Sequence, residues 1–255
     1  MEKRIGIIIP IIDTKYIYKL KKILEKTIRR QDVVFCIVND GNHKISESLK
    51  QIKNSKIFDY LNLDNNVGFA EANNSGWDYL LKKHPNIRYL GSLNDDTCPR
   101  DGWLDSLESI LMSNEKVALV GPRAEECIKR YRIFLIKQLI NNWQINEIGQ
   151  IMKGKNSRDR DNYVPVVSGF CFLAKKDAIL SVGMFDVRYR NGGEDLDLCL
   201  KLREKKYSLM ISNKALVRHY VGQSRFQAKT ITDLTFNRKL IKDKWGCDLT
   251  KYNYV

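Results

Sequence analysis

A chain of 255 residues with 43% hydrophobic and 29% charged residues can bury a sizeable core, as one large domain or as two packed halves. That composition, with no low-complexity tract or fixed-period repeat, excludes a disordered or solenoid protein. Lys and Arg number 44 against 30 Asp and Glu, and the net +14 favours a polyanionic partner (nucleic acid, an anionic membrane surface or a phosphorylated substrate) without selecting one.

No stretch reaches the roughly 20 apolar residues of a membrane span. Pro10 and Asp13 cut the first apolar run too short for a signal segment. The six cysteines are scattered without a C-x-x-C pair, which suits reduced, buried thiols and a cytoplasmic location.

In chain order, "RIGIIIPII" (Arg4 to Ile12) is a continuous β-branched run, expected to form a strand covered on both faces. Ile17, Leu20, Ile23 or Leu24, and Ile28 recur among lysines at helical spacing. "VVFCIVND" is a second buried strand ending on Asn39 and Asp40, "GNHKISESLKQI" a loop then a helix, and "KIFDYLNL" a short third strand. "GFAEANNSGWDYLLKK" reads as a helix, "IRYLGSLND" as a fourth strand, "GWLDSLESILMS" as a helix and "KVALVGP" as a fifth strand. This alternation predicts a parallel, three-layer α/β sheet up to about Pro122. Beyond it the rhythm changes. Helical spacing and then a charge-rich stretch run to about Asn162. "YVPVVSGFCFLAKK" is strand-like, "EDLDLCLKLREKK" a helix, "YSLMISNKALVRHY" one or two short strands, and "DLTFNRKLIKDKWG" an amphipathic helix.

Three strands of the first half end in polar residues: Asp13 after the first, Asn39 and Asp40 after the second, and Asn94, Asp95 and Asp96 after the fourth. In open α/β sheets the carboxyl ends of the strands share one rim, where ligands bind. Two readings of "LNDDT" compete. Asn and Asp favour turns by bonding their own backbone; a pair of carboxylates can also hold Mg2+ or Mn2+ on a diphosphate. No G-x-G-x-x-G follows a strand, and "GQIMKGKN" misses the P-loop because Asn156 replaces the hydroxyl residue and a helical pattern precedes it. In "NGGEDLDLCLKL", Glu194, Asp195 and Asp197 fall in the first turn of a helix, where the dipole favours carboxylates. For Asp197 that dipole role suffices. Asp195, beside Gly192 and Gly193, could serve as a general base. His219, in "VRHYVGQS", is one of three histidines.

Together "DNNVGFAEANNSG", "LNDDT", "VSGFCFLAKKDAILSVGMFDVRYRNGGEDLDLCLKLREKKYSLM" and "VRHYVGQS" resemble the GT-A glycosyltransferases, the inverting family numbered two and its rhamnosyltransferase-like members. The resemblance implies a Rossmann-like, spore-coat-polysaccharide-synthase-like α/β/α fold with a mixed, mostly parallel sheet over residues 1–255. Residues 1–122 would form its nucleotide-binding half, and residues 123–255 an acceptor-binding half with a C-terminal helix. It implies Asp195 as catalytic base. It also implies a Mn2+ (or Mg2+) site of Asp96 and His219 with Asp95, where an imidazole ligand favours manganese. Asn94 at the first motif position departs from strict D-x-D and leaves the number of carboxylate ligands open. Pro10, Ile12, Asp40, Asn66, Gly68, Asn73, Asn94 and Asp95 would line a nucleotide-sugar, with Asp40 on the pyrimidine of a UDP or dTDP donor. Ser168, Gly169 and Glu194 would border the acceptor, a saccharide or lipid-linked saccharide of cell-surface polysaccharide synthesis.

The basic stretch from Lys129 to Arg160, with Ile133, Ile136, Ile140 and Trp143 on one face, is expected to pack on the second half or to dock peripherally on the inner face of a membrane. The alternative to the enzyme is a catalytically idle nucleotide-sugar or polyanion-binding module. No nucleic-acid partner is expected, because the basic residues are dispersed and no such motif is visible.

Overall fold

The computed structural model of the chain describes residues 2–46, 49, 56–124, 162–220 and 234–246. The basic stretch from Lys129 to Arg160 therefore lies outside the described residues. Nine strands form one sheet in the order β3-β2-β1-β4-β8-β6-β9-β5, with β7 alongside β9. The strands are β1 Ile5–Ile11, β2 Val33–Asp40, β3 Phe58–Leu63, β4 Tyr89–Leu93, β5 Thr97–Pro99, β6 Val117–Ala124, β7 Asn162–Tyr163, β8 Cys171–Lys175 and β9 Ser208–His219. The helices are α1 Ile17–Thr27, α2 Phe69–Lys83, α3 Trp103–Ser113, α4 Lys176–Ser181, α5 Glu194–Glu204 and α6 Leu234–Trp245.

Strand alternation builds the three layers. Ile5, Ile7, Ile9 and Ile11 of β1 face one way, into a cluster with Ile17, Leu20 and Leu24 of α1 and Trp103, Leu104 and Leu107 of α3. Ile8 faces the other way, with Trp77 and Leu80 of α2 and Leu198, Cys199 and Leu202 of α5. Both faces are covered, so β1 and β2 read as unbroken apolar runs rather than alternating ones. Trp77 stacks on Phe185 at 5.2 Å and donates from Nε1 to the Gly91 carbonyl at 3.0 Å, which satisfies its one polar atom inside the core.

The sheet is mixed and mostly parallel, as the resemblance implies, but its order differs from a plain alternation. β8 inserts antiparallel between β4 and β6, so the last strand of the regular first half is separated from the fourth by a strand from the second. "YSLMISNKALVRHY" forms one 12-residue strand. A register irregularity between Pro122 and Arg123 lets it follow β6 and then pair with β5. Neither β5 nor α4 is anticipated. β5 has three residues, one of them Pro99, and exists because residues 217–219 offer it a partner. Of the cysteines, Cys36, Cys98, Cys171 and Cys199 are free thiols, all but Cys98 buried; burial raises the thiol of Cys199 to about 12. No helix among the described residues is long and apolar enough to cross a membrane.

Candidate active site

The parallel strands β1, β2 and β4 deliver their carboxyl ends to one rim. There Asp40 closes β2, and its carboxylate turns to the loop before α2. Oδ1 accepts from Val67 N at 2.7 Å, and Oδ2 from Gly68 N at 3.0 Å and Asn66 Nδ2 at 3.1 Å. Burial raises its carboxyl above the ordinary value, and the Val67 and Gly68 N–H groups oppose that rise. Gly41 makes the approach possible: at φ +74, a Cβ there would lie 2.2 Å from the backbone of Asn65 and Asn66. Asn39 is equally buried but internal, holding Asn42 and Asn62. Asn42 in turn reaches the Ile12 carbonyl at 2.5 Å, tying the loop after β1 to the loop after Asp40.

The turn 94–97 carries the second acid. Its hydrogen bonds are made without the Asp96 carboxylate: Asn94 N donates to the Phe170 carbonyl, Thr97 Oγ1 to the Asn94 carbonyl, and Tyr220 N to the Asp96 carbonyl. Asp95 and Asp96 are 4% and 3% exposed. Asp96 Oδ1 has no hydrogen-bond donor. Its neighbour is His219 Nε2 at 3.2 Å, close enough for an ion pair but outside hydrogen-bond geometry. Antiparallel pairing of β5 with β9 sets His219 opposite Thr97, and Phe170 stacks on the imidazole at 4.6 Å and 8°. Asn94 Nδ2 lies 3.5 Å from the same Nε2.

A buried carboxylate oxygen without a donor is costly. An oxygen and an imidazole nitrogen facing each other off-line are a donor pair suited to a divalent cation. Turn chemistry does not account for this carboxylate, and the residues fit the metal that the resemblance implies. Among the described residues no three His, Cys, Asp or Glu side chains converge. The protein donors brought together are therefore Asp96 and His219, and Asp95 does not join them as a third.

Asp195 stands in the first turn of α5. Its oxygens accept from Gly169 N and Leu196 N, both at 2.8 Å. A Cβ on Gly169 would sit 3.1 Å from Asp195 Cβ and 3.5 Å from the Phe69 ring, so the absence of a side chain eases the close approach of this turn to Asp195. Ser168 is exposed beside it. Glu194 is buried and takes the Gly192 N–H at 2.6 Å. The structure thus gathers Ser168, Gly169, Glu194 and Asp195 in one corner.

Asn73 departs from its expected place at the nucleotide surface. It is wholly buried, and its Nδ2 bonds the Phe69 carbonyl one helical turn back. The segment before α5 is clamped by residues that sequence reasoning missed. Asn74 exchanges two hydrogen bonds with Phe185, and Asn237 two with Arg190. Asp197, read as a dipole residue, is fully buried and receives Trp245 Nε1 at 2.7 Å and Lys244 Nζ at 2.8 Å, anchoring α6. Asparagines inside helical patterns give no signal of such long-range clamps.

The model of the family described as Glycosyl transferase family 2 matches residues 7–183. A pre-mycofactocin glycosyltransferase of Mycobacterium tuberculosis is 28% identical over 183 residues, 72% of this chain and 36% of that protein. The chain thus spans about a third of the length of the curated relatives it matches. Among solved structures, GalNAc-T7 with UDP, GalNAc and Mn2+ superposes with a TM-score of 0.64 at 11% identity, over 86% of this chain and 44% of that one. The mannosyltransferase PcManGT of Pyrobaculum calidifontis with GDP-Man and Mn2+ superposes at 0.63 and 14% identity, over 90% of this chain and 60% of that one. These likenesses establish a shared fold.

Proposed function

The chain belongs to glycosyl transferase family 2, and from that membership we propose that it is a metal-dependent inverting glycosyltransferase. In this reading it moves a sugar from a UDP- or dTDP-sugar to a hydroxyl of a saccharide or lipid-linked saccharide, in cell-surface polysaccharide or glycoconjugate synthesis. The observation that carries the reading is the Asp96 carboxylate, buried beside His219 without a hydrogen-bond donor, on the same rim as Asp40.

The N–H groups of Val67, Gly68 and Phe69 at the start of α2 are taken by Asp40 and Asn191. Asp96 and His219 would hold the metal; Mn2+ accompanies nucleotides in GalNAc-T7 and PcManGT. When bound, a divalent cation neutralises charge on the departing diphosphate. Asp40 fixes the loop bearing Asn66 and Gly68, against which the nucleoside would lie with Pro10, Ile12, Asn94 and Asp95. Asp195 accepts the acceptor proton as the hydroxyl oxygen attacks the anomeric carbon opposite the leaving group. Its Gly169 and Leu196 hydrogen bonds fix the carboxylate, and each oxygen keeps a second lone pair for that proton.

Thermal unfolding with UDP, dTDP, GDP and CMP, each with and without Mn2+, tests the reading. A nucleotide at 100 times its Kd stabilises by about 2.7 kcal/mol, a readable rise in Tm. The expected result is a Mn2+-dependent rise with UDP or dTDP alone. A rise with GDP alone would replace the donor class. No rise with any of them would favour the idle binding module instead.

A further inference from the structure

The start of α2 is held entirely from outside the helix. Gly68, at the N-cap, offers no side chain. Val67 and Gly68 donate their N–H groups to Asp40, and Phe69 N donates at 3.1 Å to Asn191 Oδ1, 122 residues further along the chain. Asn191 stands in the left-handed region at φ 53, a conformation asparagine tolerates better than most residues. Its flanks are pinned: the Asn237 amide grips Arg190 at 3.0 Å on both sides, and Glu194 takes the Gly192 N–H. A second contact runs parallel to the first, because Gly169 lies between the Phe69 ring and Asp195 and donates its N–H to the latter.

We propose that Asn191 is a positioning residue that joins the nucleotide-facing loop to the segment carrying Asp195, so that filling the nucleotide side orders the base. The inference rests on the glycosyltransferase reading above. Its physical content is one short route: Asp40 to Gly68, Phe69 to Asn191, and Asn191 along a pinned backbone to Asp195. Linkage then requires that whatever orders one end favours order at the other.

Amide hydrogen exchange on the full chain, with UDP and Mn2+ as the probe, tests it. In the wild type the probe slows exchange in both 66–72 and 189–197. Asn191→Gly keeps the left-handed backbone without strain and deletes the side chain that accepts from Phe69 N. In that variant the slowing at 66–72 persists while that at 189–197 shrinks by about fivefold or more. Asn191→Asp, which retains an acceptor oxygen, restores it. A glycine variant with a lowered Tm but unchanged slowing at 189–197 would make the residue merely structural and overturn the inference. Slowing at 66–72 alone in the wild type would overturn the inference and leave the nucleotide reading standing. No slowing at either stretch with UDP, dTDP or GDP would overturn both.

Discussion

At the amino-terminal rim of the sheet, Asp32 and Glu108 lie against guanidinium groups. Arg30 donates to Asp32 at 2.6 and 2.7 Å and also bonds Glu108, while Arg4 reaches Glu108 at 2.6 Å. At the carboxyl rim, Asp40, Asp96 and Asp195 meet no lysine or arginine among the described residues; Asp40 and Asp195 take backbone N–H groups instead, and Asp96 faces only His219. The first rim is electrostatically closed. Among the described residues the second keeps its acids without fixed cations, and in the proposed reading a ligand's cation completes the set. Oxygens that hold backbone N–H groups shape the site, and Asp96 Oδ1, buried without a hydrogen-bond donor beside His219, is the one that the proposed metal would use.

Two substitutions at the carboxyl rim would break or sharpen this contrast. The larger effect is expected from Asp195→Asn, which removes the proposed proton acceptor: turnover of the nucleotide-sugar should fall by about 10²–10⁴-fold, with nucleotide affinity unchanged, in a steady-state assay beside calorimetric titration. Normal turnover would remove Asp195 from the mechanism. Asp96→Asn should lower Mn2+-dependent nucleotide affinity by about a hundredfold, at or beyond the upper end of the loss from an outer-shell partner. The same variant should melt no lower than the wild type without ligand, since a buried carboxylate oxygen without a hydrogen-bond donor is replaced by a neutral amide. A closed acid such as Asp32 should do the reverse, losing stability and sparing nucleotide binding.

The layers and the rim were legible because they depend on local pattern. β1 and β2 declare burial by unbroken β-branched runs, and a strand's carboxyl end is where its pattern stops, so Asp40 and Asp96 could be placed on one rim without knowing a single contact. The insertion of β8 between β4 and β6 was not legible, because "CFLAK" reads the same in either direction. His219 could be paired with Asp96 only through the resemblance: their approach depends on the three-residue β5, which has no sequence signal apart from its partner strand. Asn73 shows the opposite failure. Helical spacing does not distinguish a side chain that lines a ligand from one that bonds its own backbone four residues back.

The smallest effect is the sharpest on mechanism, because the rims should respond to pH with opposite slopes. Hydrogen bonds from Arg30 hold the Asp32 carboxyl below its ordinary value, against an opposing contribution from burial. A lowered folded value means stability that is fully present above the unfolded value of about 3.9 and lost as pH falls through the folded one. The cost of Asp32→Asn, about 1 kcal/mol for a pair whose arginine is partly exposed, should therefore grow from pH 3 towards neutrality. Asp40 is shifted the other way by burial. Its folded state binds the proton more tightly, so its contribution is greatest below about pH 3.9 and declines as pH rises through the raised value. The cost of Asp40→Asn should shrink over the same range. Chemical denaturation of the two variants and the wild type between pH 3 and 7 measures both slopes, and parallel slopes would mean that the carboxyl rim is closed by a cation already within the chain.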